Sequence, residues 1–172
     1  MNKQISFILL IVFILCSCED VTDRETMDQS LVIYHNSFES KEDTENWKGN
    51  ASLQLKAEAP DVGGKQSVFI SGGCIIPHAY LELGPVETDG LYILRFWGKN
   101  LTTGGSLELG STDNDSNIIQ IRIVQKNWKK YISEDTLFCA AGEKLRISMN
   151  AGGFLVSSML VDMLEIVKVN SQ

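Results

Sequence analysis

Strict alternation along several short runs decides which side chains of this 172-residue chain can meet a ligand. In the run 91–97, Tyr92, Leu94 and Phe96 share one face, so Arg95 and Trp97 point the other way. In 77–83, the apolar Ala79, Leu81 and Leu83 leave His78, Tyr80 and Glu82 outside. In 117–124, Ile119, Ile121 and Ile123 leave Gln120 and Arg122 outside, and 145–149 leaves Arg146 and Ser148. If these runs share one sheet, its exposed face carries aromatic rings, guanidinium groups, an amide and a carboxylate. Rings of this kind stack on the apolar CH face of a pyranose, and planar polar groups pair with adjacent hydroxyls. Trp97 and Tyr80 lead this set. The plain alternative is a solvated face whose aromatics serve β-propensity. Trp128 and Tyr131 read as packing, and Trp47 sits in a loop where it either caps the core or touches ligand.

A second chemistry centres on Asp162, which alternation groups with Leu160 and Leu164 on a core-directed face. A buried carboxylate needs a partner or a cation. It either takes turn amides or helps to hold a metal ion. Catalytic signatures are absent from the sequence: there is no G-x-S-x-G, no H-E-x-x-H and no P-loop, and His35 and His78 are the only histidines. Acidic residues are plentiful enough to supply a carboxylate pair for glycoside hydrolysis. The chain is nonetheless small for the deep cleft such enzymes need, so the reading is not an enzyme, with a small surface hydrolase as a distant alternative.

The elements that position these residues are all strands. Period-two runs fall at 31–39, 51–56, 67–71, 77–83, 91–97, 106–109, 117–124, 129–132, 137–139 and 145–149, and a last long strand lies within 154–169. Gly, Asn and Asp punctuate them. No stretch carries a sustained helical period. The order predicts a single all-β domain, an antiparallel jelly-roll β-sandwich, over residues 31–170.

Two features place the domain. Met1-Asn2-Lys3 precedes an apolar run at 5–15, too short to span a bilayer but the length of a signal-peptide core. Without residues 1–17, Lys3 is lost and the balance is 14 basic against 22 acidic groups, or −8. That acidic balance, with no basic stripe, argues against nucleic acid. Cys74 and Cys139 remain in the domain, either as a disulfide or as two separate buried thiols; without a CxxC pair, zinc has little support.

Leu15-Cys16-Ser17-Cys18 resembles the bacterial lipobox, with small Ser17 before the cysteine that is lipidated. The resemblance implies cleavage before Cys18 and membrane attachment through lipid alone. Residues 18–30 then form a polar tether. Its acidic start, Glu19-Asp20, is similar to the surface-export signal of Bacteroides-type lipoproteins. This implies display at the cell envelope, on the outer membrane and facing outward, with envelope proteins as possible partners.

The strands themselves resemble carbohydrate-binding modules of the galactose-binding-like jelly-roll fold. The resemblance rests, in order, on Asn36-Ser37-Phe38-Glu39, Gly63-Gly64-Lys65-Gln66-Ser67, the run from Gly90 to Lys99, Asn127-Trp128-Lys129-Lys130-Tyr131, and the run from Met159 to Ile166. It implies a non-catalytic module that holds a polysaccharide or other glycan; a structural or protein-interaction lipoprotein without sugar binding is the alternative. It also implies a structural calcium shared by Glu39 and Asp162, completed by Asp43 or backbone carbonyls. Met163 stands where the family pattern has a second aspartate.

Overall fold

Burial on every second residue is what makes 90–100 a strand: Tyr92, Leu94, Phe96, Gly98 and Asn100 are buried while Ile93, Arg95, Trp97 and Lys99 between them are not. The computed structural model describes residues 31–73, 76–112, 117–152 and 157–169. In chain order the elements are β1 (Leu31–Asn36), α1 (Glu42–Glu45), β2 (Lys48–Gly49), β3 (Gln54–Lys56), β4 (Ser67–Ser71), β5 (His78–Pro85), β6 (Gly90–Asn100), β7 (Gly105–Ser111), β8 (Ile118–Ile123), β9 (Lys129–Ile132), β10 (Leu137–Cys139), β11 (Lys144–Asn150) and β12 (Ser158–Val169).

These strands form two antiparallel sheets. The seven-stranded sheet runs β10-β6-β12-β4-β3, with β1 also paired to β12 and β9 to β6. The five-stranded sheet runs β2-β5-β11-β7-β8. The core lies between them, with Val68, Leu94, Phe96, Val161 and Ile166 on one side and Leu107, Leu109, Leu145, Ile147 and Met149 on the other. Burying an aliphatic side chain of this kind contributes about 1.5–3 kcal/mol, so the sandwich is held chiefly by these alternate residues.

The first expected strand stops at Asn36. Its Oδ1 accepts a 2.8 Å hydrogen bond from the Phe38 amide, and Phe38 adopts a left-handed backbone with φ 51°. The single helical turn α1 follows, where Ser40 donates to the Asp43 carboxylate from its amide at 2.9 Å. Neither α1 nor the two-residue β2 carries a periodic signal.

β12 corrects one expectation. Its pairing with β6 shifts between Asp162 and Glu165, and Met163 is left-handed at φ 48°. This bulge sends Met159, Val161, Leu164 and Ile166 into the core cluster. Leu160 and Asp162 therefore lie on the sheet's outer side, not on one core-directed face with Leu164. They are buried there all the same.

The signal-peptide run, Cys18, the tether and Cys74 lie outside the described residues, and with them any Cys74–Cys139 pairing. Cys139 is buried on β10. Among the described residues no helix is long and apolar enough to cross a membrane.

Candidate functional site

Alternation fixes which way a side chain points but not which sheet its strand joins, and here that distinction divides the expected site. β5, β8 and β11 lie in the five-stranded sheet, so His78, Tyr80, Glu82, Gln120, Arg122, Arg146 and Ser148 share its outer face. β6 belongs to the other sheet. Trp97 and Arg95 are therefore on the opposite side of the sandwich.

Strand register places the first group in rows. One row crosses the sheet as Lys48, Tyr80, Ser148, Glu108 and Gln120. The next runs His78, Asn150, Ser106 and Arg122, and the third runs Glu82, Arg146, Gly110 and Ile118. Cross-strand neighbours of this kind stand about 4.5–5.5 Å apart, so successive side chains within a row are close enough to touch.

Two clusters lean away from the middle of this face. Arg146 bends toward β5, where its guanidinium carbon lies 5.2 Å from the Tyr80 ring centroid and Nη2 donates to Glu82 at 2.8 Å. Lys48 reaches the same carboxylate at 3.7 Å. The Arg146 hydrogen bond is the largest of the influences holding the Glu82 carboxyl below its usual range. His78 stacks beside Tyr80, with ring centroids 6.1 Å apart and planes within 9°. On the far side, Glu108 turns toward β8 and accepts from Gln120 Nε2 at 2.6 Å. Between the clusters lie the small Ser148, Ser106 and Gly110. The face is thus a shallow trough with an aromatic and basic wall on one flank and a polar wall on the other. An open recess of ≈ 550 Å³ lies at one end, lined in part by Ser106, Gln120, Arg122 and Asn150.

Glu108, Lys48, Ser106 and Asn150 were not singled out from sequence. Leu107 and Leu109 alternate around Glu108, so its outward direction was there to be read. Lys48, on a two-residue strand, gave no such signal.

Trp97 and Arg95 sit in different surroundings. Arg95 pairs with Glu165 through Nε, and His35 approaches the same carboxylate at 3.3 Å. Trp97 is half-buried, in register with Asp162 on one side and Lys130 on the other. Trp47 caps the sandwich, its ring 6.2 Å from Phe38 and packed against the core. Tyr131 stacks on Phe96 at 5.2 Å within the core.

The Glu39 and Asp162 carboxylates meet one turn. A Cβ added at Gly63 would strike Asp162 Oδ2, and one added at Gly64 would strike the Glu39 carboxylate. Glu39 accepts hydrogen bonds from the amides of Lys65 at 2.9 Å and Gln66 at 3.2 Å. Asp162 Oδ1 accepts from the Met163 amide at 2.7 Å, while Oδ2 is buried without a hydrogen-bond partner. Burial, and then the Glu39 charge, push the Asp162 carboxyl up to about 6, against the opposing pull of the Met163 amide and His35. A buried, unpartnered carboxylate oxygen beside a second carboxylate suits a hard cation, which takes oxygen ligands. Asp43 instead holds Ser40. Among the described residues no group of three or more His, Cys, Asp or Glu gathers there, so backbone carbonyls or water would complete a shell.

No protein family and no curated protein matches the sequence. Solved structures match it in fold. The xylan-binding domain CBM22-1 of Paenibacillus barcinonensis Xyn10C has a TM-score of 0.60 at 16% identity, over 83% of this chain and 97% of that one. TmCBM61, solved in complex with β-1,4-galactotriose, has a TM-score of 0.50 at 15% identity, over 72% of this chain and 89% of that one. The enzymatically active domain of tailspike protein 4 of bacteriophage CBA120 has a TM-score of 0.57 at 15% identity, over 73% of this chain. The match takes in 20% of that longer protein. The architecture is the all-β jelly-roll sandwich that carbohydrate-binding modules share.

Proposed function

We propose that the chain is a non-catalytic, glycan-binding lipoprotein that holds polysaccharide in the trough of its five-stranded sheet. One observation carries the reading. Register gathers Tyr80, His78, Arg146, Glu108, Gln120 and Arg122 around a floor of small residues. The aromatic wall offers an apolar surface for the CH face of a sugar, and the oriented amide, carboxylate and guanidinium groups suit vicinal hydroxyls. The fold's likeness to modules described as xylan-binding, and to one solved with galactotriose, agrees with this use. Binding to a panel of plant, bacterial and host polysaccharides in affinity gels tests it. Retardation by at least one is expected, and none across the panel overturns the reading.

Display at the cell envelope rests on the lipobox-like Leu15-Cys16-Ser17-Cys18 and the acidic residues behind it. Lipid on Cys18 would anchor the domain to the outer membrane, each buried methylene contributing about 0.8 kcal/mol. A structural calcium would be held by Asp162 and Glu39 at the Gly63-Gly64 turn. Its part would be to neutralise the two carboxylates and pin the loop after β1 to β12.

The second reading, a lipoprotein that engages proteins and not sugars, draws on the other sheet. Ile132 and Phe138 stand half-exposed on its outer face, with Leu91 in register with Phe138. Failure of every glycan to bind would move weight to that face.

A further inference from the structure

Among the described residues, the trough carries a charge opposite to that of the chain. Four described basic side chains, Lys48, Lys144, Arg146 and Arg122, stand on this face against two described carboxylates, Glu82 and Glu108, in a chain of formal net charge −7. Glu82 serves both Arg146 and Lys48, while Glu108 keeps its charge and is held by the neutral Gln120. Arg122 and Lys144 are left with no ion-pair partner among the described residues, and both are exposed.

Arg122 also occupies a useful place. It ends the row His78, Asn150, Ser106, Arg122, and it lines the open recess of ≈ 550 Å³ at the end of the trough. A free guanidinium in a recess flanked by an amide and a hydroxyl matches a planar carboxylate two-pronged, while the neighbours take adjacent hydroxyls. An excess of positive charge on one face of an acidic protein also concentrates anions there.

From this we infer that the trough selects an acidic glycan, one whose sugars carry an anionic group, and that Arg122 reads that group. The inference rests on the glycan-binding reading and narrows it. A neutral chain would leave Arg122 and Lys144 unmatched; a polyanionic one pairs them along its length. The anion is a uronate carboxylate or a sulfate ester, and both offer acceptor oxygens to the same guanidinium.

The test is affinity electrophoresis of the full-length protein at low and high salt. The probes are polygalacturonate, its fully methyl-esterified form, dextran sulfate and neutral xylan. Tighter binding to polygalacturonate than to its ester by about tenfold, the scale of one charged hydrogen bond, supports a carboxylate. Preference for dextran sulfate over polygalacturonate assigns the sulfate. In either case binding weakens as salt rises. Arg122→Gln weakens binding to the preferred polyanion, whereas Lys130→Gln, which removes a charge from the opposite face, does not. Equal or tighter binding to the ester or to xylan, unaffected by salt or by Arg122→Gln, overturns the inference and leaves glycan binding standing. Loss of binding on Lys130→Gln equal to that on Arg122→Gln would reduce it to general charge attraction and overturn it. No binding to any probe overturns both.

Discussion

Arg146 lies over Tyr80, its guanidinium carbon 5.2 Å from the ring centroid, while the same group holds Glu82 at 2.8 Å. One side chain thus orients the ring and the carboxylate of a neighbouring strand together. A contact of this type at a part-exposed site is worth about 0.5–1 kcal/mol. Thermal melts of Arg146→Ala, Tyr80→Ala and the double variant are expected to show coupling of that size, and strict additivity would count against the stacked geometry.

The Gly63-Gly64 turn is expected to tolerate no side chain. A methyl at Gly64 meets the Glu39 carboxylate and one at Gly63 meets Asp162. Forcing a close-packed site apart costs about 1–3 kcal/mol, so Gly63→Ala and Gly64→Ala should each lower the melting temperature by several degrees. Gly84→Ala, which meets nothing within 4 Å, is the control and should melt close to the parent protein.

Asp162 gives stability a pH dependence whose direction is set by its burial. Its folded carboxyl titrates at about 6, above the ordinary 3.8. In the metal-free protein the folded state therefore holds this proton more tightly than the unfolded chain. Stability from this group is full below about pH 4, declines as pH rises through about 6, and is flat beyond. In EDTA, parent minus Asp162→Asn should show that decline, amounting to at most about 3 kcal/mol. Millimolar calcium should raise the pH 7 melting temperature of the parent and not of Asp162→Asn. An unchanged midpoint with calcium and EDTA would dismiss the cation.

Membrane attachment is expected to depend on one cysteine. Labelling cells with a palmitate analogue should mark the parent and Cys16→Ser, and Cys18→Ser should lose both label and membrane association. Retention of label by Cys18→Ser would move the anchor elsewhere.

Much of the fold was legible because period-two burial is a local property. Tyr92, Leu94 and Phe96 announce β6, and Ile119 and Ile123 announce β8, without knowledge of their neighbours. Sheet membership is not local. Nothing in 91–97 says that β6 pairs with β12 while β5 pairs with β11, so Trp97 and Tyr80 read alike in sequence and stand on opposite faces. The bulge at Asp162–Glu165 was hidden for a related reason. A left-handed Met163 has no sequence mark, yet it inverts which neighbours Asp162 shares a face with. Glu39, Gly63-Gly64 and Asp162 lie far apart in the chain, and only the closed sandwich brings them together.

The central claim is that glycan is held on the face of Tyr80. Affinity gels that compare the parent, Tyr80→Ala and Trp97→Ala against the best-bound polysaccharide test it most directly. The account predicts that Tyr80→Ala loses about tenfold or more in affinity, in keeping with the loss of an aromatic contact, while Trp97→Ala binds as the parent does. Undiminished binding by Tyr80→Ala together with loss in Trp97→Ala would place the site on the seven-stranded sheet and contradict it.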